Sequence, residues 1–227
     1  EWGSTFRRTF IYQSLLFYSM FGILVCGDSI SFGRGESPNV GWSGRLKKYF
    51  EPQEFHNCLF NLGIPGDTTS TLIKRFETEI KSRIQYAHPG SEFIVMIAIG
   101  INDSRGLGSP NKLETKPAKF ENNISKLIQI AKKYTKNVVV VGLTPVDEDI
   151  TNPFEDTYFT NNKIQEYDEI LKKSAQINKI HYVNLFNTIS KLNYKKFLVD
   201  GVHPNKRGYE EIYKIIKDFL IKNKLIK

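Results

Sequence analysis

The chain has 227 residues, enough for one domain with a well-filled core, and 40% of them are hydrophobic. Its formal net charge is +8, but this charge comes mostly from lysines spread singly or in pairs, without an arginine-rich run, which argues against nucleic-acid binding. Two cysteines are too few for a disulfide framework and lack the histidine spacing of a zinc site, so no metal is expected.

The first 20 residues precede the first predicted strand. Arg7 and Arg8 followed by an apolar stretch resemble the start of a signal peptide, but that stretch runs into the strand, so cleavage would remove it. We expect residues 1–20 to be an extension, either foreign to the domain or an extra helix, and residues 21–227 to be the domain. An uncleaved membrane anchor is the alternative, although the stretch is short for a stable membrane span. Free thiols without a cleavable leader favour a cytoplasmic location.

Apolar runs bounded by turn residues alternate along the chain with helical patterns. Continuous runs rich in β-branched and aromatic residues are typical of strands buried on both faces, as in a parallel sheet. A weaker helix and four longer ones are predicted where apolar residues recur every three or four positions. The predicted strands are residues 21–26, 55–62, 93–99, 138–143 and 181–186, and the predicted helices include residues 42–49, 72–84, 120–131, 164–175 and 209–220.

This alternation predicts an α/β fold, a three-layer α/β/α sandwich with a five-stranded parallel sheet and right-handed crossovers. Two long loops, residues 101–116 and 145–160, are expected to shape a binding site. The polar candidates for chemistry all follow strand ends. Because ligands bind at the carboxyl edge of open parallel sheets, we expect these candidates to meet there. They are Ser29 after the first strand, Gly63 after the second, Asn102 after the third, and Asp200 and His203 after the fifth.

Ser29 is the candidate nucleophile, and a neutral serine hydroxyl needs a neighbouring base to attack a carbonyl carbon. His203 is the best candidate, because Asp200 lies three residues earlier and can orient its ring. His56 and His181 fall within predicted strands and are expected to have structural roles. The N–H groups of Ser29 and Gly63 and the amide of Asn102 are candidate donors to an oxyanion.

Gly63 and Asn102 each have a plainer interpretation, because strand ends need turn residues with unusual dihedral angles. Only their joint placement, in the required order along the chain, favours the catalytic interpretation. The residues that carry this order form four blocks: Gly27-Asp28-Ser29-Ile30, the stretch from Asn61 to Thr69, Gly100-Ile101-Asn102-Asp103, and Asp200-Gly201-Val202-His203-Pro204.

With these four blocks, the chain resembles the SGNH hydrolases, also called GDSL-type esterases or lipases, over roughly residues 21–223. The resemblance implies a flavodoxin-like sheet of order 2-1-3-4-5 and a Ser-His-Asp triad. Ser29 would be the nucleophile, His203 the general base and then acid, and Asp200 the residue that orients His203. Ser29, Gly63 and Asn102 would form the oxyanion hole. Structural roles are implied for two further residues, Asp28 and Asp103.

The predicted function is therefore a serine ester hydrolase that acts on a small-molecule ester, with a short or acetyl acyl group and no cofactor. An acyltransferase or a thioesterase on the same site is a close alternative. A flavodoxin-like binding module or a lysine-rich protein for anionic surfaces would be non-catalytic, and both leave the Ser-His-Asp set unexplained. The motif Gly-x-Ser-x-Gly is absent, since Ser31 stands at its second glycine, which argues against the ordinary α/β-hydrolase fold.

Overall fold

The structure is a computed structural model that describes residues 21–85, 87 and 89–227. The predicted extension, residues 1–20, lies outside the described residues. Within the described part, a parallel sheet forms the middle layer and helices cover both of its faces. The α/β sandwich predicted from the sequence is thereby confirmed.

The central sheet has five parallel strands in the order β2-β1-β3-β5-β7. Two further strands of two residues each, β4 and β6, pair antiparallel and join the two long loops. Counting only the central strands, the order is 2-1-3-4-5, as predicted. The strands are β1 (Phe21–Gly27), β2 (Asn57–Gly63), β3 (Glu92–Ala98), β4 (Gly106–Leu107), β5 (Asn137–Val141), β6 (Thr157–Tyr158) and β7 (His181–Val183).

The helices match the predicted apolar stripes and add three short ones. No helix in the described ranges combines the length and the apolar character needed to cross a lipid bilayer. The helices are α1 (Ser29–Phe32), α2 (Gly41–Phe50), α3 (Thr69–Ile84), α4 (Pro117–Lys132), α5 (Glu148–Thr151), α6 (Asn161–Asn178), α7 (Phe186–Ile189) and α8 (Lys206–Lys222), with 3₁₀ turns at Glu51–Gln53 and Tyr194–Phe197.

Helices α3, α4 and α6 bury their apolar stripes against one face of the sheet, and α2 and α8 bury theirs against the other. Three strands are shorter than predicted, and one of them, β5, ends at Val141 and not at residue 143. The second begins at Asn57 because Phe55, 90% exposed, and His56 lie in a turn. The fifth ends at Val183 because Phe186 already begins α7. These shifts leave the carboxyl edge of the sheet, where the candidate residues lie, in the predicted place.

The two cysteines lie on neighbouring strands but are four residues apart in register, since Cys26 pairs with Leu62 and Cys58 with Gly22. Both thiols are free. Burial raises the pKa of Cys26 to about 12, so this thiol stays protonated at neutral pH.

Candidate active site

Ser29 is placed by the sharp turn between β1 and α1. The Asp28 carboxylate caps α1 by accepting the N–H of Ile30 at 2.9 Å, as its predicted structural role requires. Ser29 is only 4% exposed, and as the first residue of the helix its own N–H has no acceptor within α1. Glycine is required at position 27, because a Cβ there would lie 2.2 Å from the Ser31 hydroxyl. The turn therefore holds a hydroxyl and a backbone N–H at the sheet edge.

His203 and Asp200 reach this turn from the loop that precedes α8. The Nε2 atom of His203 lies 2.9 Å from Ser29 Oγ, and Nδ1 lies 2.7 Å from Asp200 Oδ2. The other carboxylate oxygen, Oδ1, accepts the backbone N–H groups of His203 at 2.8 Å and Val202 at 3.1 Å. Three side chains predicted to meet are thus aligned in hydrogen-bonding order.

The charge of Asp200 fixes the direction of these contacts. Burial alone would raise the pKa of its carboxyl, but the hydrogen bonds from the ring and backbone of His203 hold that pKa well below its usual range. The ionised Asp200 carboxylate accepts a hydrogen bond from a protonated Nδ1. In the neutral ring Nε2 then carries no proton, so it accepts the hydrogen bond of the Ser29 hydroxyl. The set is therefore poised for proton transfer from Ser29 to His203.

The loop of residues 33–40 supports His203 from behind. A Cβ at Gly35 would lie 3.1 Å from Cβ of His203, so the backbone of Gly35 packs directly against the base of the His203 side chain. The Tyr209 hydroxyl donates to the Arg34 carbonyl at 2.6 Å, and Arg45 donates to both carboxylate oxygens of Glu36 at 2.7 Å. Neither contact is evident in the sequence, because no spacing rule pairs Tyr209 with Arg34 or Arg45 with Glu36.

Asn102 lies in the turn after β3 and is 7% exposed. Its Nδ2 donates one hydrogen to the Asp67 carbonyl at 2.9 Å, which leaves the second hydrogen of the amide for another acceptor. The N–H of Gly63 donates to Asn61 Oδ1 at 3.0 Å. The N–H of Gly66 has no acceptor among the described residues. Gly63 can therefore serve an oxyanion only by giving up its contact with Asn61.

The carboxylate of Asp103 joins this turn to α3. It accepts the Thr69 hydroxyl at 2.6 Å and the Thr69 N–H at 2.9 Å, so that it caps the helix. Asn123 on α4 donates to the same hydroxyl at 2.9 Å. Burial raises the pKa of Asp103, which the bonds from Thr69 partly offset. These hydrogen bonds hold the turn after β3 against the first turn of α3, which is a structural role of the kind predicted for Asp103.

Arg75 on α3 was not singled out from the sequence. Its Nε and Nη2 donate to Asp67 Oδ2 at 3.0 and 2.7 Å, and Nη2 also donates to the Gly27 carbonyl at 3.2 Å. Its guanidinium thereby links the strand before Ser29 to the segment that holds Asn102. No spacing rule points to this residue, since its contacts are made only by the folded chain.

The other described histidines lie elsewhere. His181 is in β7, with its ring edge against Phe219, and His56 is in the turn before β2. A nucleophilic hydroxyl, an imidazole base and an ionised carboxylate aligned in this way are suited to acyl transfer.

Comparison with known proteins identifies a family for the chain. The sequence model of the GDSL-like Lipase/Acylhydrolase family matches residues 25–211. A curated relative, Esterase TesA of Pseudomonas aeruginosa, is 26% identical over 122 residues, and the match spans 53% of this chain and 53% of that protein. The chain is thus matched over about half the length of this relative.

Solved structures resemble the whole domain. A lipase/acylhydrolase from Enterococcus faecalis superposes with a TM-score of 0.70 at 20% identity, over 92% of this chain and 98% of that one. A catalytic mutant of Axe2, an acetylxylan esterase from Geobacillus stearothermophilus, gives a TM-score of 0.65 at 17% identity, over 89% and 95% of the two chains. At these identities the likeness concerns the fold.

Proposed function

The chain belongs to the GDSL-like lipase/acylhydrolase family, and from this premise we propose that it hydrolyses carboxylic esters through an acyl-Ser29 intermediate. One observation carries the proposal: Ser29 Oγ lies 2.9 Å from His203 Nε2, and His203 Nδ1 lies 2.7 Å from Asp200. Distances of this size are within the range needed for direct proton transfer.

In the first half of the reaction, Ser29 Oγ attacks the ester carbonyl carbon while its proton passes to His203 Nε2. The imidazolium that forms is stabilised by the ionised Asp200. The tetrahedral intermediate then breaks its bond to the alcohol oxygen, which takes the proton from His203 and leaves. In the second half, water gives a proton to His203, attacks the acyl carbon and releases the acid, and the proton returns to Ser29.

The negative oxygen of each tetrahedral intermediate needs fixed donors. The backbone N–H of Ser29 and the second amide hydrogen of Asn102 are proposed for this role, because neither is used within the described residues. Gly63 remains the proposed third donor, with its present contact to Asn61 as the competitor. Each such donor is typically worth about 10²–10³ in turnover.

For the substrate, we propose an ester with a short acyl or acetyl group. Two partly exposed apolar side chains follow site residues closely along the chain. Phe32, three residues after Ser29 on α1, and Ile64, next to Gly63, are 36% and 44% exposed and are proposed to contact a small acyl group. The structural likeness to an acetylxylan esterase is consistent with this proposal. The ratio kcat/KM is expected to be highest for p-nitrophenyl esters of two to four carbons. A maximum at longer chains would overturn the choice of acyl group.

The test of the nucleophile is labelling with a fluorophosphonate probe, followed by mapping of the modified residue. Ser29 is expected to be labelled, and Ser29→Ala to lose both labelling and esterase turnover while keeping its fold. The exposed Ser82 on α3 provides a matched control, since Ser82→Ala should leave both unchanged. Turnover that survives in Ser29→Ala would exclude this role.

An acyltransferase or thioesterase would use the same acyl-enzyme. Adding an alcohol acceptor separates transfer from hydrolysis, since a transferase forms new ester faster than free acid. A thioester substrate with the same acyl group tests the other alternative.

A further inference from the structure

Arg75 is a largely buried cation and is the least exposed of the charged side chains on α3. Its side chain is 18% exposed, and that of its main partner, Asp67, is 11% exposed. The Nη1 atom has no hydrogen-bond acceptor among the described residues and lies 3.7 Å from the Glu79 carboxylate. Burying a charge in this way costs free energy unless the contacts it makes are of good geometry.

The contacts of Arg75 connect the two parts of the site that must act together. One is the Gly27 carbonyl, two residues before the nucleophile Ser29. The other is the carboxylate of Asp67. The backbone carbonyl of the same residue accepts a hydrogen bond from the Asn102 amide. A shift of the guanidinium would therefore change the spacing between the nucleophile and an oxyanion donor.

The planar guanidinium matters for this connection. Its Nε and Nη2 donate to the same oxygen of the Asp67 carboxylate, and Nη2 also donates to the Gly27 carbonyl at the end of β1. These bonds fix the orientation of the guanidinium as well as the position of its charge. A lysine ammonium carries the same charge as a single point on a flexible stem, so it can pair with Asp67 without fixing Gly27.

We propose that Arg75 is a positioning residue for the reaction, which sets the spacing between Ser29 Oγ and the Asn102 amide through Gly27 and Asp67. The proposal rests on the proposed function of the site. It predicts a loss in kcat rather than in substrate affinity, because the oxyanion donor acts in the transition state.

The test compares Arg75→Met and Arg75→Lys with Arg83→Met. Arg83 is the matched control, since it lies two turns further along α3, pairs with Glu79 and contacts neither Asp67 nor Gly27. Arg75→Met is expected to lower kcat about 10- to 100-fold, in line with the cost of small misplacements in active sites, with KM changed less than threefold. The kcat of Arg75→Lys should lie between those of Arg75→Met and the wild type, and the kcat of Arg83→Met should equal that of the wild type.

A second measurement distinguishes positioning from a general loss of structure. If Arg75 acts through Asn102, the effect of Arg75→Met should be smaller when the Asn102 amide is already absent. The factor by which Arg75→Met lowers kcat in the Asn102→Ala variant should be at least five times smaller than the factor in the wild type. Equal losses in both backgrounds, or a change in KM alone, would overturn the proposal. Should Arg75→Met fail to fold, Asp67→Asn takes its place, because it removes the charge that holds the guanidinium and keeps the carbonyl that holds Asn102. An unchanged kcat in Asp67→Asn would then contradict the proposal.

The wild-type protein separates this proposal from the proposed function. If the fluorophosphonate probe does not label wild-type Ser29, the esterase function fails. If the probe labels Ser29 and Arg75→Met keeps the wild-type kcat, only the role of Arg75 fails.

Discussion

The two sides of the site are held in different ways. On the base side, Asp200 and His203 belong to one loop, and their side-chain and backbone bonds join residues two or three apart. On the oxyanion side, Asn102 is held by a carbonyl 35 residues away, and Arg75 reaches a carbonyl 48 residues away. One side is a local motif, and the other depends on the packing of α3 against the sheet.

This difference predicts how far the effect of a substitution should extend through the structure. A substitution of Asp200 is expected to change the chemistry and leave the fold as it is, because its carboxylate accepts hydrogen bonds from Val202 and His203 of the same loop. A substitution of Asn102 or Arg75 on the oxyanion side is expected to disturb partners on other segments, because the contacts of these two residues join distant parts of the chain.

Asp200→Asn is the strongest test of the base side. An amide oxygen can still accept the N–H groups of Val202 and His203, but the amide nitrogen would face Nδ1 and favour the wrong ring tautomer. We expect kcat to fall about 10⁴-fold, as for a triad carboxylate replaced by its amide, while the thermal midpoint changes little. Paired kinetics and thermal unfolding check this. A large loss of stability with modest loss of kcat would show that the base side is not self-contained.

Asn102→Ala is the corresponding test of the oxyanion side. It removes one proposed donor and also leaves the Asp67 carbonyl without its partner. The expected result is a fall in kcat of about 10²–10³ with little change in KM, together with a measurable loss of stability. Steady-state kinetics and urea unfolding measure the two effects. A loss confined to KM would remove Asn102 from the oxyanion role.

The base side could be predicted from the sequence because its spacing is short. An Asp three residues before a His, at the entrance of a predicted helix, leaves few ways to arrange the two side chains. The five strands were also predictable, because continuous apolar runs alternate with helical stripes. Their order was implied by the family resemblance and not by this alternation. The ends of three strands were not predictable. Phe55 and Phe186 are apolar but belong to a turn and to a short helix, and Leu143 is buried although it lies beyond the end of β5.

The supports of the oxyanion side could not be predicted in this way. Arg75 and Arg83 lie on the same helix, and no periodic pattern tells the buried arginine from the surface one. Gly63 illustrates the same limit. A Cβ there would lie 2.5 Å from the Phe32 nitrogen, so close packing against α1 already requires glycine, whatever its N–H does. Residue type alone does not separate these two reasons.

Asp28 lies between the two sides of the site. Because it is buried, it allows a test of how burial makes the free energy of unfolding depend on pH. Burial raises the pKa of Asp28 to about 7 in the folded chain, whereas an unfolded aspartate titrates near 4. Between these values the folded chain holds a proton that the unfolded chain has released. The contribution of Asp28 to the free energy of unfolding therefore falls as pH rises from about 4 to 7.

Asp28→Asn keeps an oxygen acceptor for the Ile30 N–H and removes this titration. Relative to the wild type, the variant is expected to gain stability across that window, by up to about 4 kcal/mol above pH 7. Urea unfolding of both proteins at several pH values from 4 to 8 measures the difference. Neighbouring ionisable groups such as His203 and Asp103 are common to both proteins. A difference that does not vary with pH would contradict the raised pKa.

Asn61→Ala has the smallest expected effect and tests whether the Gly63 N–H completes the oxyanion side. If Gly63 is a donor, its N–H must exchange Asn61 Oδ1 for the substrate oxygen, and the exposed Asn61 side chain is a competitor. Removing a hydrogen bond worth about 1 kcal/mol should then raise kcat up to fivefold without changing KM. A kcat that stays the same or falls would exclude Gly63.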